Sequence, residues 1–405
     1  MLNGIRHPSA HLVLLLLTVL LAAGCTQGAR PMPSPSATGV VPATVPRSVS
    51  ASPTALAYNM RNKILLQFTP SEPSRKATLE ISDPDGGARQ LLADVAPGSG
   101  SVAVSPDGQY IAFFTSGPES AGSLTVRDAQ SGETVVQVPV AAEISNSFRD
   151  APAMRYLAWS PGAPLLASAM NRDLYLLEIG QPDARLLVRH RDARYNLAGE
   201  VMGSVGHPTW STDGAKIIYD EFAPPYVLSA GADLYRNVES IDASTLVTQT
   251  LLEEAHIVQR MSSSAEPELL LKKNEEQGTF ALNLTTLEVR PLEAQPETPA
   301  LTLCNAGGDG CVSIASEQGE RDVLQLQQAE QGGAGRQVRL ADLVETASGC
   351  AFQSVLWDPD GRALLATEGC SGRVALWSIA LAEQKPTRLA DWPNVGAVEL
   401  LFWFR

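Results

Sequence analysis

The sequence predicts an all-β fold of repeated four-stranded antiparallel sheets, on three observations. From residue 56 onward long helical periodicity is absent, short alternating or apolar runs replace it, and one turn motif recurs at nearly even spacing. The motif reads Val104-Ser105-Pro106-Asp107-Gly108, Trp159-Ser160-Pro161-Gly162, Trp210-Ser211-Thr212-Asp213-Gly214 and Trp357-Asp358-Pro359-Asp360-Gly361. Proline presets φ for the first turn position, aspartate stabilises the turn, and glycine takes the left-handed position before the next strand. Each motif leads into a β-rich run, at 110–114, 165–169, 216–219 and 363–367. A third run follows at 123–128, 173–177 and 373–377, and a polar turn, clearest at Ser131-Gly132-Glu133, leads to a fourth such as 135–140. Four antiparallel strands per repeat make one blade of a propeller.

Spacing sets the number of repeats. Ser105 to Ser160 is 55 residues, Ser160 to Ser211 is 51, and Ser211 to Asp358 is 147, three spacings of 49. Two blades without the motif fit that interval. One begins near His256 and includes 269–271 and 278–284; the other begins near Leu301 and includes 312–315 and 323–326. At the start, 63–68, 76–82 and 89–92 read as the last three strands of a blade that lacks its first. At the end, 397–403 reads as a first strand with nothing after it. Joining the two closes a ring and removes open sheet edges. The expectation is a seven-bladed β-propeller over residues 56–405, behaving as a monomer.

The residues before it read differently. The apolar run 12–24 is 13 residues long, short of the roughly 20 a spanning helix needs. With Arg6 before it and small residues closing it, residues 1–24 have the form of an export signal. Leu21-Ala22-Ala23-Gly24-Cys25 resembles the lipobox of bacterial lipoproteins, although Ala22 stands where leucine is usual. The resemblance implies that Cys25 is lipidated and becomes the new N-terminus. Residues 25–55 carry Pro31, Pro33, Pro35, Pro42, Pro46 and Pro53 among Ser, Thr, Ala and Gly, without an aromatic residue. Such a segment cannot bury a core, and it is expected to be a disordered linker between a lipid anchor in the membrane and the propeller.

Removing residues 1–24 leaves 29 Lys and Arg against 44 Asp and Glu, a net charge of −15. That balance argues against nucleic acid, whose phosphates need basic partners. Cys304, Cys311, Cys350 and Cys370 form an even set in a chain expected to be exported, which favours disulfides. Their spacing lacks the close pairs of structural zinc sites, so no metal is expected. Hairpin register selects Cys304–Cys311 and Cys350–Cys370. If the loop 359–361 sets Asp358 opposite Arg362, then Cys350 falls opposite Cys370, at a distance a disulfide accepts.

The Trp-Ser-Pro-Asp-Gly turn, its β run and the following Leu-Tyr-like strand resemble the WD-type repeats of TolB-like periplasmic proteins and of dipeptidyl-peptidase N-terminal domains. The resemblance covers about residues 58–404 and implies the propeller rather than a ligand. Blades five and six depart from it in lacking the turn motif. No α/β hydrolase domain follows in the sequence, so the peptidase resemblance is expected to stop at the propeller.

A search for catalytic motifs finds no G-x-S-x-G, H-E-x-x-H, Walker A or dinucleotide fingerprint. His190, His207 and His256 lie far apart in the sequence. The Asp-Pro-Asp-Gly segments at 83–86 and 358–361 lack the spacing of calcium loops and read as turns. Trp159, Trp210 and Trp357 end inner strands and are expected to pack between blades. Binding residues are sought on the face opposite the Ser-Pro-Asp-Gly turns, in loops 141–154, 189–206 and 220–232. There Arg149, Arg189, His190, Arg191, Arg194 and Tyr195 supply the arginine and aromatic anchors that interfaces favour. The function expected is a protein- or ligand-binding scaffold at the cell surface with no cofactor and no catalytic residue, meeting a protein or cell-envelope partner. The rival is a hydrolase or lyase with an acidic, metal-dependent site at the central channel.

Overall fold

The structure is a computed structural model that describes residues 60–72, 76–95, 102–115, 122–140, 156–170, 172–181, 183–189, 194–195, 201–202, 204–223, 234–261, 267–273, 278–292, 301–304, 310–317, 321–328, 336–339, 350–380 and 386–405. All of them belong to one compact unit, Pro42–Arg405. The export signal, the linker and Cys25 lie outside the described residues. Among the described residues there is no helix, and so none that could cross a membrane.

The chain is a succession of antiparallel sheets. The first three strands are β1 (Ile64–Pro70), β2 (Ala77–Ser82) and β3 (Gln90–Val95), followed by β4 (Val102–Val104), β5 (Tyr110–Thr115), β6 (Gly122–Asp128) and β7 (Thr134–Val140). Next come β8 (Tyr156–Trp159), β9 (Leu165–Met170), β10 (Asp173–Glu178) and β11 (Arg185–Val188), then a small hairpin of β12 (Arg194–Tyr195) and β13 (Val201–Met202). Further sheets hold β14 (Ser204–Trp210), β15 (Lys216–Ala223), β16 (Leu234–Asp242) and β17 (Thr248–Glu253), and β18 (Ala255–Met261), β19 (Glu268–Lys273), β20 (Thr279–Asn283) and β21 (Val289–Leu292). The last are β22 (Leu301–Cys304), β23 (Gly310–Glu317), β24 (Arg321–Gln328) and β25 (Arg336–Arg339), then β26 (Ala351–Trp357), β27 (Ala363–Cys370), β28 (Arg373–Ala380), β29 (Pro386–Pro393) and β30 (Val395–Trp403). Among the described residues, β8 to β11 and each quartet from β14 onward form a four-stranded sheet in chain order. The earlier strands and β30 form one eight-stranded sheet, in which β30 pairs β1 and the halves β30-β1-β2-β3 and β4-β5-β6-β7 meet through the single pair Val95↔Thr115.

The middle strands bury both faces, which explains their apolar runs. Ile217 and Tyr219 pack with Leu174 and Leu176 of one neighbouring sheet, while Ile218 packs with Leu269 and Leu271 of the other. Ile64, Leu66 and Val398 pack with Leu365, Leu376 and Trp392. Contacts between sheets follow chain order: β4 meets β8, β8 meets β14, β18 meets β15 and β16, β22 meets β18 and β26, and β30 meets both β26 and β4. The tryptophans fix this stacking. Trp159 Nε1 donates to Ala103 O (3.2 Å) of β4 and Trp210 Nε1 to Ala158 O (2.9 Å) of β8, each indole reaching a strand of the preceding sheet.

The recurring turns are built alike. Ser105 Oγ donates to Asp107 Oδ1 (2.6 Å) and accepts Tyr110 N (2.9 Å), while Gln109 N donates to Asp107 Oδ1 (3.0 Å). Ser211, Asp213, Ala215 and Lys216 repeat the set. Gly108 and Gly214, at φ +73° and +69°, occupy the left-handed corner that a side chain would strain. The Asp-Pro-Asp-Gly segments are turns as well: Asp85 Oδ1 accepts Gly87 N, and Asp358 Oδ1 accepts Arg362 N and Ala363 N.

The serine hydroxyls hold the Asp107 and Asp213 carboxyls below the usual carboxylate range, with Gln109 N and Ala215 N adding to the effect. A group whose folded pKa is lowered adds stability above its unfolded pKa, near 3.9, and loses it as pH falls through the folded value. Urea midpoints are therefore expected to drop below about pH 4. In a Ser105→Ala, Ser211→Ala double variant that acid-side slope should be shallower; an unchanged slope would show that these turns do not contribute.

The cysteines need one correction. Cys350 and Cys370 are bonded, with Cα atoms 4.2 Å apart. The expected turn register is off by one, because Asp358 N bonds Ala363 O and pairs sum to 721 from Trp357↔Leu364 up to Ser354↔Thr367. A bulge at Gln353 then restores Phe352↔Glu368 and Ala351↔Gly369, so two departures cancel. The bulge aims Gln353 at the free edge of β30, where Nε2 donates to Gly396 O (3.0 Å) and Oε1 accepts Val398 N (3.1 Å). Space for that side chain comes from Gly369, whose added Cβ would lie 1.9 Å from Gln353 Nε2. Gly369→Ala is expected to cost about 1 kcal/mol through loss of these bonds. In Gln353→Ala background it should cost far less, as a double-mutant cycle in urea would measure. In the other pair, the backbone register sets Cys304 directly opposite Cys311.

Candidate functional site

Of the six residues chosen from sequence, Arg189, Arg194 and Tyr195 are among the described residues. Arg189 is exposed and directly follows β11, and a single residue separates the end of β13 from the start of β14. Arg194 and Tyr195 form β12, pairing with Met202 and Val201. This inserted hairpin therefore stands at the end where β11 finishes and β14 starts, opposite the Ser-Pro-Asp-Gly turns. Arg149, His190 and Arg191 lie outside the described residues.

The chemistry that sequence reasoning missed lies farther along β14. A bulge between Gly206 and Thr209 interrupts its pairing with β15, and within it His207 is held at φ +43°. A left-handed histidine in an inner strand is strained, and such strain persists only where the surroundings enforce it. Here Asp220 of β15 enforces it. Its side chain is 1% exposed, and its two oxygens take His207 Nδ1 at 3.1 and 3.0 Å. Oδ2 also accepts Ile257 N of the next sheet at 3.0 Å. Because a carboxylate only accepts, Nδ1 carries the proton and the ring's far edge presents Nε2. The His207 side chain remains 27% exposed.

Tyr156, the first residue of β8, lays its ring against His207, with centroids 4.3 Å apart and planes tilted by 40°. Burial, and then the Asp220 charge, raise its phenol pKa above the usual value, so the hydroxyl stays protonated and able to donate. A sequence signal for Asp220 existed. Counting from the turn, it is the fifth residue of its second strand, where Phe114, Ala169 and Thr367 stand in other sheets. An acid directly after the apolar run Ile217-Ile218-Tyr219, at a position that is buried in the other sheets, implies a buried partner.

Two depressions open on the turn face. One of about 720 Å³ is lined by Met60, Arg61, Phe402, Trp403, Phe404 and Arg405 together with turn residues that include Pro106. The other, about 430 Å³, shares Pro106 and runs along Leu157, Trp159, Pro208, Thr209 and Trp210, the residues just after Tyr156 and His207. Cys350, Glu368 and Cys370 also cluster, but the two sulfurs are bonded to each other and Glu368 Oε2 accepts Trp377 Nε1 at 2.9 Å. That cluster is structural.

No protein-family model matches the chain, and no curated protein matches it in sequence. Solved structures do resemble it. The β-propeller domain of the Trilobed protease from Pyrococcus furiosus aligns with a TM-score of 0.51 at 12% identity, covering 84% of this chain and 99% of that one. Prolyl oligopeptidase B from Galerina marginata aligns at 0.51 and 13%, covering 82% and 52%. A prolyl endopeptidase aligns at 0.51 and 12%, covering 89% and 50%, so this chain spans about half of each prolyl peptidase. At such identity the likeness shows the fold, and that fold is the propeller rather than TolB-like kinship in particular. The expectation of a chain without enzymatic activity does not stand. The propellers it resembles belong to proteins named as peptidases, and the fold gives no ground for excluding catalysis.

Proposed function

We propose that this chain is an exported protein, held to a membrane through lipidated Cys25 and the linker 25–55, whose propeller binds a partner outside the cytoplasm. The propeller has seven blades. The eight-stranded sheet supplies two, joined only at Val95↔Thr115, and five four-stranded sheets supply the rest. The contact of β30 with both β26 and β4 supports a closed ring of this number. In the exported compartment Cys304 and Cys311, opposite each other in register, are bonded like Cys350 and Cys370.

The observation that carries the binding assignment is the β12–β13 hairpin. It is an insertion between the last strand of one sheet and the first of the next, and it bears Arg194 and Tyr195 on a chain of net charge −14. Arginine and tyrosine are residues that anchor interfaces, and inserted loops on a rigid frame are where recognition concentrates. Arg189 follows β11 directly, and in sequence His190 and Arg191 lead from it to the hairpin while Arg149 lies between β7 and β8, so we assign an acidic partner to this face. The test places a photo-crosslinking residue at Tyr195 and, as control, at Asp107 on the turn face. A discrete adduct from position 195 that disappears with Arg191→Glu and Arg194→Glu, and stays membrane-bound unless Cys25 is changed to Ser, is expected. Equal adducts from both positions would refute the assigned face.

A further inference from the structure

We propose that His207 and Tyr156 form the polar end of a second subsite, on the inner-strand wall, that binds a neutral hydroxyl-bearing ligand of the saccharide class. The inference does not depend on the hairpin. Four observations meet here. The imidazole is fixed from behind by both oxygens of a fully buried carboxylate, which leaves Nε2 as its outward atom. Among the described residues nothing bonds Nε2 or the Tyr156 hydroxyl. The two rings, tilted by 40° with centroids 4.3 Å apart, bring an imidazole and a phenol together on neighbouring first strands. The backbone beneath the histidine is held in the left-handed region by a bulge, a device that re-aims a side chain.

The ligand class follows from this pairing. In the neutral tautomer with its proton on Nδ1, Nε2 accepts, and the phenol donates. A hydroxyl both donates and accepts, so a polyol satisfies the two at once, whereas a carboxylate offers the neutral ring's Nε2 no proton. Farther toward the turns, Leu157 and Pro208 with Thr209, which follow the pair along their strands, line the depression of about 430 Å³, and it has the volume and mixed lining of a small-molecule site. As a structural clamp alone, Asp220 would require only Ile257 N; it does not call for a strained, part-exposed histidine.

The test follows the His207 ring by ¹⁵N–¹H correlation in the intact domain. Glucose, galactose, mannose and N-acetylglucosamine are titrated in turn, with sodium acetate as the anionic control. At least one sugar is expected to shift Nε2 saturably while acetate does not. Tyr156→Phe, which keeps the ring and its packing, should weaken that sugar's binding roughly 5- to 10-fold, the value of one hydrogen bond. A response to acetate alone, no response to any of the four sugars, or undiminished affinity in Tyr156→Phe would each overturn the proposal. Should Tyr156→Phe lose its fold, the wild-type titration decides by itself.

Discussion

Deleting residues 396–405 is expected to unfold the whole strand-bearing unit rather than fray one end. β30 pairs β1 from Ile64↔Trp403 to Pro70↔Val395, and Val398 and Leu400 sit in the core with Ile64, Leu66 and Trp392. The opposite edge of β30 is also occupied. Gln353 holds Gly396 O and Val398 N, Ser354 Oγ accepts Leu400 N at 3.0 Å, and Thr367 Oγ1 donates to Val398 O at 2.8 Å. Removal would expose apolar faces of two sheets and leave β1 as an open edge. The loss is of the order of the total stability of a domain, about 5–15 kcal/mol. Circular dichroism should show no cooperative melt in the truncated protein. A melt within a few degrees of the parent would mean that the unit does not depend on this strand.

Asp220→Ala is the point substitution with the largest expected cost, about 3 kcal/mol or more. It strips a buried acceptor from Ile257 N and from His207 Nδ1 together, and bonds to charged groups are worth about 1.5–3 kcal/mol each. Thr367, at the equivalent place, gives the comparison: Thr367→Val removes one bond to Val398 O and should cost about 1 kcal/mol. Urea unfolding of the two variants measures the difference. Equal losses would show that Asp220 does no more than an ordinary contact between sheets.

Much of the fold was legible because each turn advertises itself. Serine, aspartate and glycine at fixed offsets are local chemistry, and Ser105 and Ser211 make the same bonds in separate sheets. The incomplete sheet at each end was legible as well, since an unpaired first strand and a missing one imply each other. The register at Cys350 was reached through a compensating slip. The bulge at Gln353 answers to the backbone of β30, more than forty positions away, and no local pattern announces it. His207 and Asp220 were missed for a related reason. Thirteen residues separate them, and only the bulge at Gly206 turns the imidazole toward the carboxylate. The run Ile217-Ile218-Tyr219-Asp220 carried the warning, but it named neither the partner nor the strained backbone.

The pairing of β1 has a mechanical meaning. The chain enters the described structure at Met60 and passes directly into β1, a strand with neighbours on both sides, β2 and β30. A pull transmitted along the preceding segment therefore meets no free edge from which hydrogen bonds could be unzipped one at a time. It loads two ladders together, and the Asn62 N bond to Phe404 O takes strain before either. Under the proposed anchoring at its N-terminal side, with a partner pulling at the far face, the leash would be sewn into the middle of a sheet.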